Sequence, residues 1–495
     1  MEIKDINELH NIFSNENVRT LFIKILAPKQ DNEKNQIFLG SDVGLFNTFP
    51  CKLKQGLISQ SQKKNKSNVG KPKLEAHLDF YWLNNKGEKF KAPNSKFIFY
   101  FQYPEIRFSG FLSKCKCSPE SLRRDKQKVF GKRILIMGIN SRDEILGIVL
   151  NELENETLLY KLDLSNKRKV HSIFYEYFVP SKVTSEKYEI PKLFEIDEYK
   201  KQHLNEFDKS KTKNKESNNA PTNFLYSDQN INLLLSELKD ISNRWFPSMI
   251  LKSNNTSPIP FKGLQGGGLT LEAVLGIECN SRKGDDKYGI ELKVLGKKIS
   301  LMTPVADMGI ESESFKDFMQ DYGYKDQNNE NKILFNGSHK YSDINKKTKL
   351  TLELKGYDLN KKKFKGVEKE SEILAGLFDE NAKKLVSGWS FQKLLECWMI
   401  KHSKICYVEY KKRPYQGSVY GHDFEYFFTG KVFIGTGTSL ENFFNGIANK
   451  KIIFDPGHSW VGGKTPHKRH QWRTVNAKIE TLSYLYNDIR EINLV

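Results

Sequence analysis

Between Leu204 and Phe224 the chain reads NEFDKSKTKNKESNNAPTN, a run of charged and amide side chains with a single aromatic. Such a segment cannot cover a hydrophobic core. It marks the strongest boundary in a chain of 495 residues, a length that already exceeds one ordinary core. The expected organisation is therefore a domain over 1–203, a polar linker over 204–224 and a second domain over 225–495. The competing reading is a long surface loop within one domain. Lys and Arg number 79 against 60 Asp and Glu, a formal charge of +19. An excess of that size favours a polyanionic partner, against the plainer alternative of a merely soluble basic protein. The opening MEIKDINELHNIF carries acidic residues where a signal peptide would be apolar. No stretch approaches the roughly 18 apolar residues of a membrane helix, so a soluble cytoplasmic protein is expected. The spacing of Cys115 and Cys117 is wrong for a zinc knuckle, and all six cysteines are expected to be reduced thiols.

From Val18 to Val170 the pattern is strand-like: TLFIKIL, NQIFLG, AHLDFYWL, KFIFYFQY and RILIMGI are short, rich in β-branched or aromatic residues, and bounded by Gly, Asn or Lys. Several such strands suggest a β-barrel-like domain. The stretch 61–74 is polar and basic and is expected to be mobile. Beyond the linker, INLLLSELKDISNRWF (231–246) has helical spacing. Helices are also expected over Leu269–Ile277, 389–404 and SLENFFNGIANKK, and in a last segment, VNAKIETLSYLYNDIREI. Strands are expected at Tyr288–Leu295, KICYVEYKK, EYFFTGKVFIG and KIIFDPG. The alternation indicates a mixed α/β domain.

The chemistry concentrates in GGGLTLEAVLGIECNSRKGDDKYGIELKVL, from Gly266 to Leu295. Asp286, Glu291 and Lys293 stand there in the order Asp-x4-Glu-x-Lys. On an extended strand, residues i and i+2 share a face about 6.6 Å apart, at ~3.3 Å rise per residue. Glu291 and Lys293 should therefore point one way, and Ile290, Leu292 and Val294 the other way, into a core. By itself Glu-x-Lys is an ordinary solvated face. Three features change that: Asp286 in the turn GDDKYG can approach Glu291, Glu272 sits on a helix whose Leu271 and Leu275 face the core, and the net charge favours a phosphate substrate. Two carboxylates with water can hold Mg²⁺. Asp286 and Glu291 are the expected metal ligands, and Glu272 is an additional catalytic candidate that reaches the metal or orients a ligand. Lys293 would position an attacking water or stabilise developing charge; arginine, always protonated, would be a poorer substitute. The residues point to a Mg²⁺-dependent DNA endonuclease.

The same blocks resemble the catalytic core of the MvaI/BcnI restriction endonucleases, a branch of the PD-(D/E)xK nucleases. The likeness lies in the glycine run, the Leu-Glu-Ala helix, Asp-x4-Glu-x-Lys, the segment Leu301-Met302-Thr303-Pro304 and KRHQWRT at 468–474. Asp285 stands where the family's pattern has proline, so Asp285 competes with Asp286 as ligand. The resemblance implies a monomer that uses Mg²⁺ and cuts short, nearly palindromic G·C-containing sites one strand at a time. It also implies that Arg473 and His470 contact the site, in keeping with the two-bond grip of arginine on guanine. The alternative for His467 and His470 is a pair of surface histidines, and His458 and Asp455 receive no role. The N-terminal half is similar to the B3-like domain of EcoRII-type enzymes. Residues 21–40 and YPEIRFSGFL (103–112) match its two DNA-gripping arms. They offer Lys24, Asn32, Lys34, Asn35 and Gln36 from the first, and Arg107 and Ser109 from the second. The plainer reading of both arms is a polar hairpin loop and a strand end. The two resemblances together imply a type IIE enzyme, in which one domain binds a second copy of the site as effector. A simpler arrangement would only add affinity.

Three other readings compete. One is a non-enzymatic, sequence-specific DNA-binding protein with a relic nuclease fold. The second is a repair or mismatch nuclease on the same scaffold. The third, RNA binding, lacks an RNP-like aromatic motif.

Overall fold

The computed structural model describes residues 3–18, 20–26, 35–58, 70–123, 126, 129–162, 164, 167, 169–171, 173–179, 229–252, 255, 257–263, 265–279, 286–401, 404–417, 421–462 and 464–495. The polar run 204–224, Asn32, Lys34 and Asp285 lie outside them, as does most of 61–74, although Pro72–His77 is a strand. Contacts divide the chain into two compact units that are not successive stretches of sequence. The first comprises Met1–Lys182, Ser300–Ser403 and Gly437–Asn487; the second comprises Val183–Ile299, Lys404–Thr436 and Asp488–Val495. Among the described residues no helix is long and apolar enough to cross a membrane.

In the first unit, Thr20–Leu26 shows why the strand-rich reading holds. Leu21 and Ile23 point into an aliphatic core with Leu9, Phe13, Ile134, Ile136, Leu146 and Ile148. Phe22, between them, points the other way onto Phe49, as strand alternation requires. Seven strands form one sheet in the order Lys169–Val170, Phe174–Phe178, Thr20–Leu26, Arg133–Ile139, Ile145–Asn151, Phe80–Leu83, Lys89–Lys91. Five form another: Ile37–Phe38, Glu105–Ser109, Lys96–Tyr100, Pro72–His77, Lys52–Leu57. An aromatic layer joins them: Phe49 meets Phe97 at 5.5 Å and Phe80 meets Phe108 at 5.1 Å between ring centroids. Among the described residues no barrel closes. The outermost strands of each sheet pair on one side only, so the barrel-like expectation is corrected to two packed open sheets.

The later segments of this unit pack on the same scaffold. Phe391 stacks on Phe99 at 5.4 Å and Gln55 donates to Glu370 at 2.5 Å. The three-stranded sheet of Ser300–Met302, Trp472–Thr474 and Ile452–Phe454 carries the KRHQWRT element. Asn329–Asn336 pairs with Gly457–Val461 beside it. The expected helices at 389–404 and after Ser439 are present as Phe391–Lys401 and Leu440–Ala448.

The second unit is a mixed α/β layer. Its sheet runs Arg244–Pro247, Phe424–Thr436, Lys404–Pro414, Glu291–Val294, with Asp488–Asn493 also paired to Phe424–Thr436. Only Glu291–Val294 and Lys404–Pro414 are parallel. Helix Gln229–Ile241 buries Ile231, Leu234, Leu235, Leu238 and Ile241, one face at 3.6-residue spacing. Against expectation, the final segment is not a helix: only Ile479–Leu482 is helical, and Asp488–Asn493 is a strand. The antiparallel ladder with Lys431–Thr436 supplies hydrogen-bond partners that the local helical periodicity did not foresee.

Candidate active site

The expected strand at Tyr288–Leu295 is shorter, Glu291–Val294. Its start is fixed by a tight turn in which Tyr288 (φ 55°) and Gly289 (φ 73°) are left-handed and the backbones of Lys287 and Ile290 pair. Ile290 and Leu292 are buried in the core and Val294 packs against it. On the strand's other side, Lys293 Nζ lies 2.6 Å from Glu291 Oε1. The Glu291 side chain is 4% exposed and that of Lys293 18%, so this pair is not a solvated surface bridge. Asp286 joins them through the backbone: its Oδ2 accepts from the amide of Leu292 at 2.7 Å. The carboxylate thus sits beside the residue that separates Glu291 from Lys293.

Sequence reasoning missed what holds the turn. Glu237, on helix Gln229–Ile241, accepts from Tyr288 Oη at 2.6 Å and pairs with Lys287 Nζ at 2.6 Å. Lys287 also donates to the carbonyl of Leu275 at 2.8 Å. Lys287 and Tyr288, which follow Asp286, are therefore fastened to helix Gln229–Ile241 and to the residue that ends helix Gly266–Val274. Burial, reinforced by Glu237, pushes the Tyr288 hydroxyl up to about 12, which keeps it a hydrogen-bond donor. No spacing rule links residue 237 to residue 288.

Glu272 is half-buried on helix Gly266–Val274, which packs against Glu291–Val294. Leu271 and Leu275 face the core as expected. The glycines open this helix rather than precede it. A Cβ on Gly266 would come within 2.8 Å of the Tyr426 hydroxyl, so the close approach of helix to sheet requires glycine there.

Oxygen donors at Asp286 and Glu291 suit a hard cation such as Mg²⁺. A different cluster, Glu311, His458 and His470, also has the composition of a metal site, with its ligand atoms within 4.8 Å of one another. His470 Nε2 is 2.6 Å and His458 Nε2 3.6 Å from Glu311 Oε1, and Ser387 donates to Oε2. The amide of Arg469, however, donates to His458 Nδ1 at 3.0 Å. In neutral imidazole that places the proton on Nε2, the atom a metal would need. Burial lowers His458 to about 3, which keeps it neutral. Burial pushes Glu311 up, but the hydrogen bond and charge of His470 hold it below the carboxylate range. Within the cluster Glu311 is hydrogen-bonded to His470 and Ser387, while His458 Nε2 has no hydrogen-bond partner.

The remaining candidates divide by burial. His470, 2% exposed, lies in the interior on Glu311. It is neither a surface histidine nor placed to meet a duplex. His467 is exposed. Arg473 Nη1 donates to Asp455 Oδ2 at 2.9 Å, with its side chain 29% exposed. In the N-terminal arms, Ile37–Phe38 pairs with Glu105–Ser109. This brings Gln36 Nε2 within 3.2 Å of Ser109 Oγ, and Arg107 Nη1 within 3.4 Å of Gln36 Oε1. Arg107 also pairs with Glu105 at 2.6 Å. Lys24 is half-buried on Thr20–Leu26, and Asn35 is exposed.

No curated protein matches the chain. Two solved structures of the restriction endonuclease MvaI are similar. The complex with cognate DNA substrate is 16% identical, covers 54% of this chain and 99% of its own, and has a TM-score of 0.40. The form without DNA is 14% identical, covers 54% and 98%, and has a TM-score of 0.31. Likeness at that level carries no argument by itself, and the assignment rests on sequence: the profile of the MvaI/BcnI restriction endonuclease family matches residues 235–484, half of the chain, and the protein belongs to that family.

Proposed function

We propose that the chain is a type II restriction endonuclease that hydrolyses phosphodiesters of double-stranded DNA at a short G·C-containing site. The observation that carries this is the gathering of Asp286, Glu291 and Lys293 about one strand end within a family of restriction endonucleases. Asp286 and Glu291 would hold Mg²⁺. When bound, the ion supplies a bound water of lowered pKa and charge neutralisation on the phosphate. Glu291 fixes the ammonium of Lys293, which is thereby preorganised to orient the attacking water and to stabilise the negative charge that grows on the phosphorane oxygens. Glu272, on the adjoining helix, orients that arrangement. The turn of Tyr288 and Gly289, anchored on Glu237, holds Asp286 in place.

Residues 1–203 act, in this reading, as a B3-like DNA-binding module. Support comes from the meeting of Gln36, Arg107 and Ser109, which come from the two separate arms. Amide and guanidinium together suit adenine and guanine edges in the major groove. Lys24 and Asn35, with Asn32 and Lys34, extend the set. The module's role is that of a type IIE effector site for a second copy of the target, on a monomeric enzyme of the prokaryotic cytoplasm.

The test is plasmid cleavage in Mg²⁺, with EDTA as control, followed by run-off sequencing of digested phage DNA to report site and cut position. Asp286→Ala and Lys293→Ala are expected to lose cutting by about a hundred- to a thousandfold, the scale of one preorganised electrostatic group, while duplex binding survives. Wild-type cleavage in either variant would refute the roles. An active protein without sequence preference would turn the reading to a repair nuclease, and an inactive one that still prefers a sequence to a relic.

A further inference from the structure

Asp455, in FDPGHSW, stands where two surfaces meet within the first unit. It follows strand Ile452–Phe454, whose Ile453 lies opposite Arg473 in the ladder. Its Oδ2 accepts from Arg473 Nη1 at 2.9 Å, and its Oδ1 from Ser338 Oγ at 2.9 Å. One carboxylate therefore ties the arginine to a loop more than a hundred residues earlier. That loop is laddered to the same place: the backbones of His339 and Phe454 pair in both directions. Asn345 closes it, donating to the Ser338 carbonyl at 3.1 Å and accepting from the amides of Lys347 and Thr348. His339 and Thr348 bond beneath it at 2.8 Å.

The loop encloses an open concavity of about 350 Å³ lined by Ser338, Lys340, Asn345, Lys346 and Lys347 among others. The three lysines are exposed. The loop's acidic residue, Asp343, is paired with Lys450 at 2.6 Å, so the face keeps its positive charge. Nη1 is committed to Asp455. Nε is buried and has no hydrogen-bond partner, so contact with an incoming group falls to the exposed part of the guanidinium, the side chain being 29% exposed.

We infer that Asp455 is a positioning residue: it fixes the partly exposed guanidinium of Arg473 for contact with a base edge and, through Ser338, locks that reader in register with the Lys340–Lys347 loop, which grips phosphates of the same duplex. This rests on the nuclease reading above. It assigns a role to a residue that the sequence left without one, and a second contact surface to the protein.

Base readers and phosphate grips fail differently, which makes the test specific. Using the site mapped by run-off sequencing, binding without Mg²⁺ and cleavage with it are measured on two short duplexes that differ by one base pair. Asp455→Asn and Arg473→Lys are expected to lower the preference for the correct duplex by about tenfold or more, with little change in affinity for the altered one. Asp455→Glu is expected to restore part of the preference. Ser338→Ala should give a smaller loss in the same direction. Lys346→Gln with Lys347→Gln is expected to weaken both duplexes alike and to reduce the salt slope of binding by about two. Thermal melting separates loss of fold from loss of aim, and where Asp455→Asn fails to fold, Ser338→Ala and Asp455→Glu carry the test. Unchanged preference in folded Asp455 and Ser338 variants of an active enzyme overturns the inference alone. A wild-type protein that neither cuts nor prefers any sequence overturns it together with the nuclease reading.

Discussion

Burial gives two histidines of the first unit, His339 and His458, a measurable consequence. His339 is lowered from 6.5 to about 4 by burial, with backbone hydrogen bonds and the charge of Asp455 opposing. His458 is lowered to about 3 by burial, with Glu311 opposing and His470, Lys468 and His467 adding to the shift. In the unfolded chain both would take up a proton near 6.5; in the folded chain neither does until far lower. The unfolded state thus binds more protons through that window, so stability is full above about 6.5 and falls as pH drops toward 4 and 3. The slope expected is about 1.4 kcal/mol per pH unit for each histidine. Thermal melting between about pH 7 and pH 5 should show it, and His458→Gln should flatten the curve. A slope identical to wild type in that variant would contradict the assignment. None of this was legible in the sequence. His458 and His470 both face Glu311, which also accepts from Ser387, and proximity between residues so distant in the chain is created by folding. Asp286, Glu291 and Lys293 were legible for the opposite reason: they stand within eight residues, so strand geometry alone relates two of them.

Helix Gly266–Val274 shows how elements constrain a site. Its three leading glycines look alike in sequence, yet their surroundings differ. A Cβ on Gly266 would meet Tyr426 Oη at 2.8 Å, on Gly267 the Tyr426 ring at 3.3 Å, and on Gly268 nothing within 4 Å. Gly266→Ala is therefore expected to lose about 1–3 kcal/mol through overpacking. Gly268→Ala should gain about 0.5–1 kcal/mol, because alanine restricts the unfolded chain and favours helix. Denaturant midpoints of the two variants should move in opposite directions; movement of both in the same direction would contradict the packing argument. A second element-scale prediction concerns Glu237. Glu237→Ala removes both anchors of the turn before Glu291. It is expected to slow cleavage while leaving duplex affinity near wild type, read as a kcat loss without a KM change. Periodicity located this helix, the helix at 229–241 and the Glu291 strand, because each buries one face of its own. It failed at Asp488–Asn493, whose strand form depends on the ladder with Phe424–Thr436, a property of its neighbour.

At the scale of the molecule, the compact units are assembled from interleaved segments. Ser300–Ser403 and Gly437–Asn487 lie in one unit with Met1–Lys182, an arrangement that composition along the chain cannot reveal. The arms that carry Gln36 and Arg107 and the segment that carries Asp455 and Arg473 thus belong to one compact unit, while Asp286, Glu291 and Lys293 belong to the other. A protein with two arginine-bearing faces in one unit is suited to engage two copies of a site, which is what an effector mechanism needs. If the second copy acts as an effector, its binding must alter the affinity for the first, and a coupling of ordinary size is roughly 5–150-fold. A supercoiled plasmid carrying two mapped sites should then be cut faster than a plasmid carrying one, and a short duplex bearing the site should activate the one-site plasmid when added in trans. Arg107→Ala should bring the two-site rate down toward the one-site rate. Equal rates on both plasmids, with no activation in trans, would remove the effector role and leave residues 1–203 as a module that contributes affinity alone.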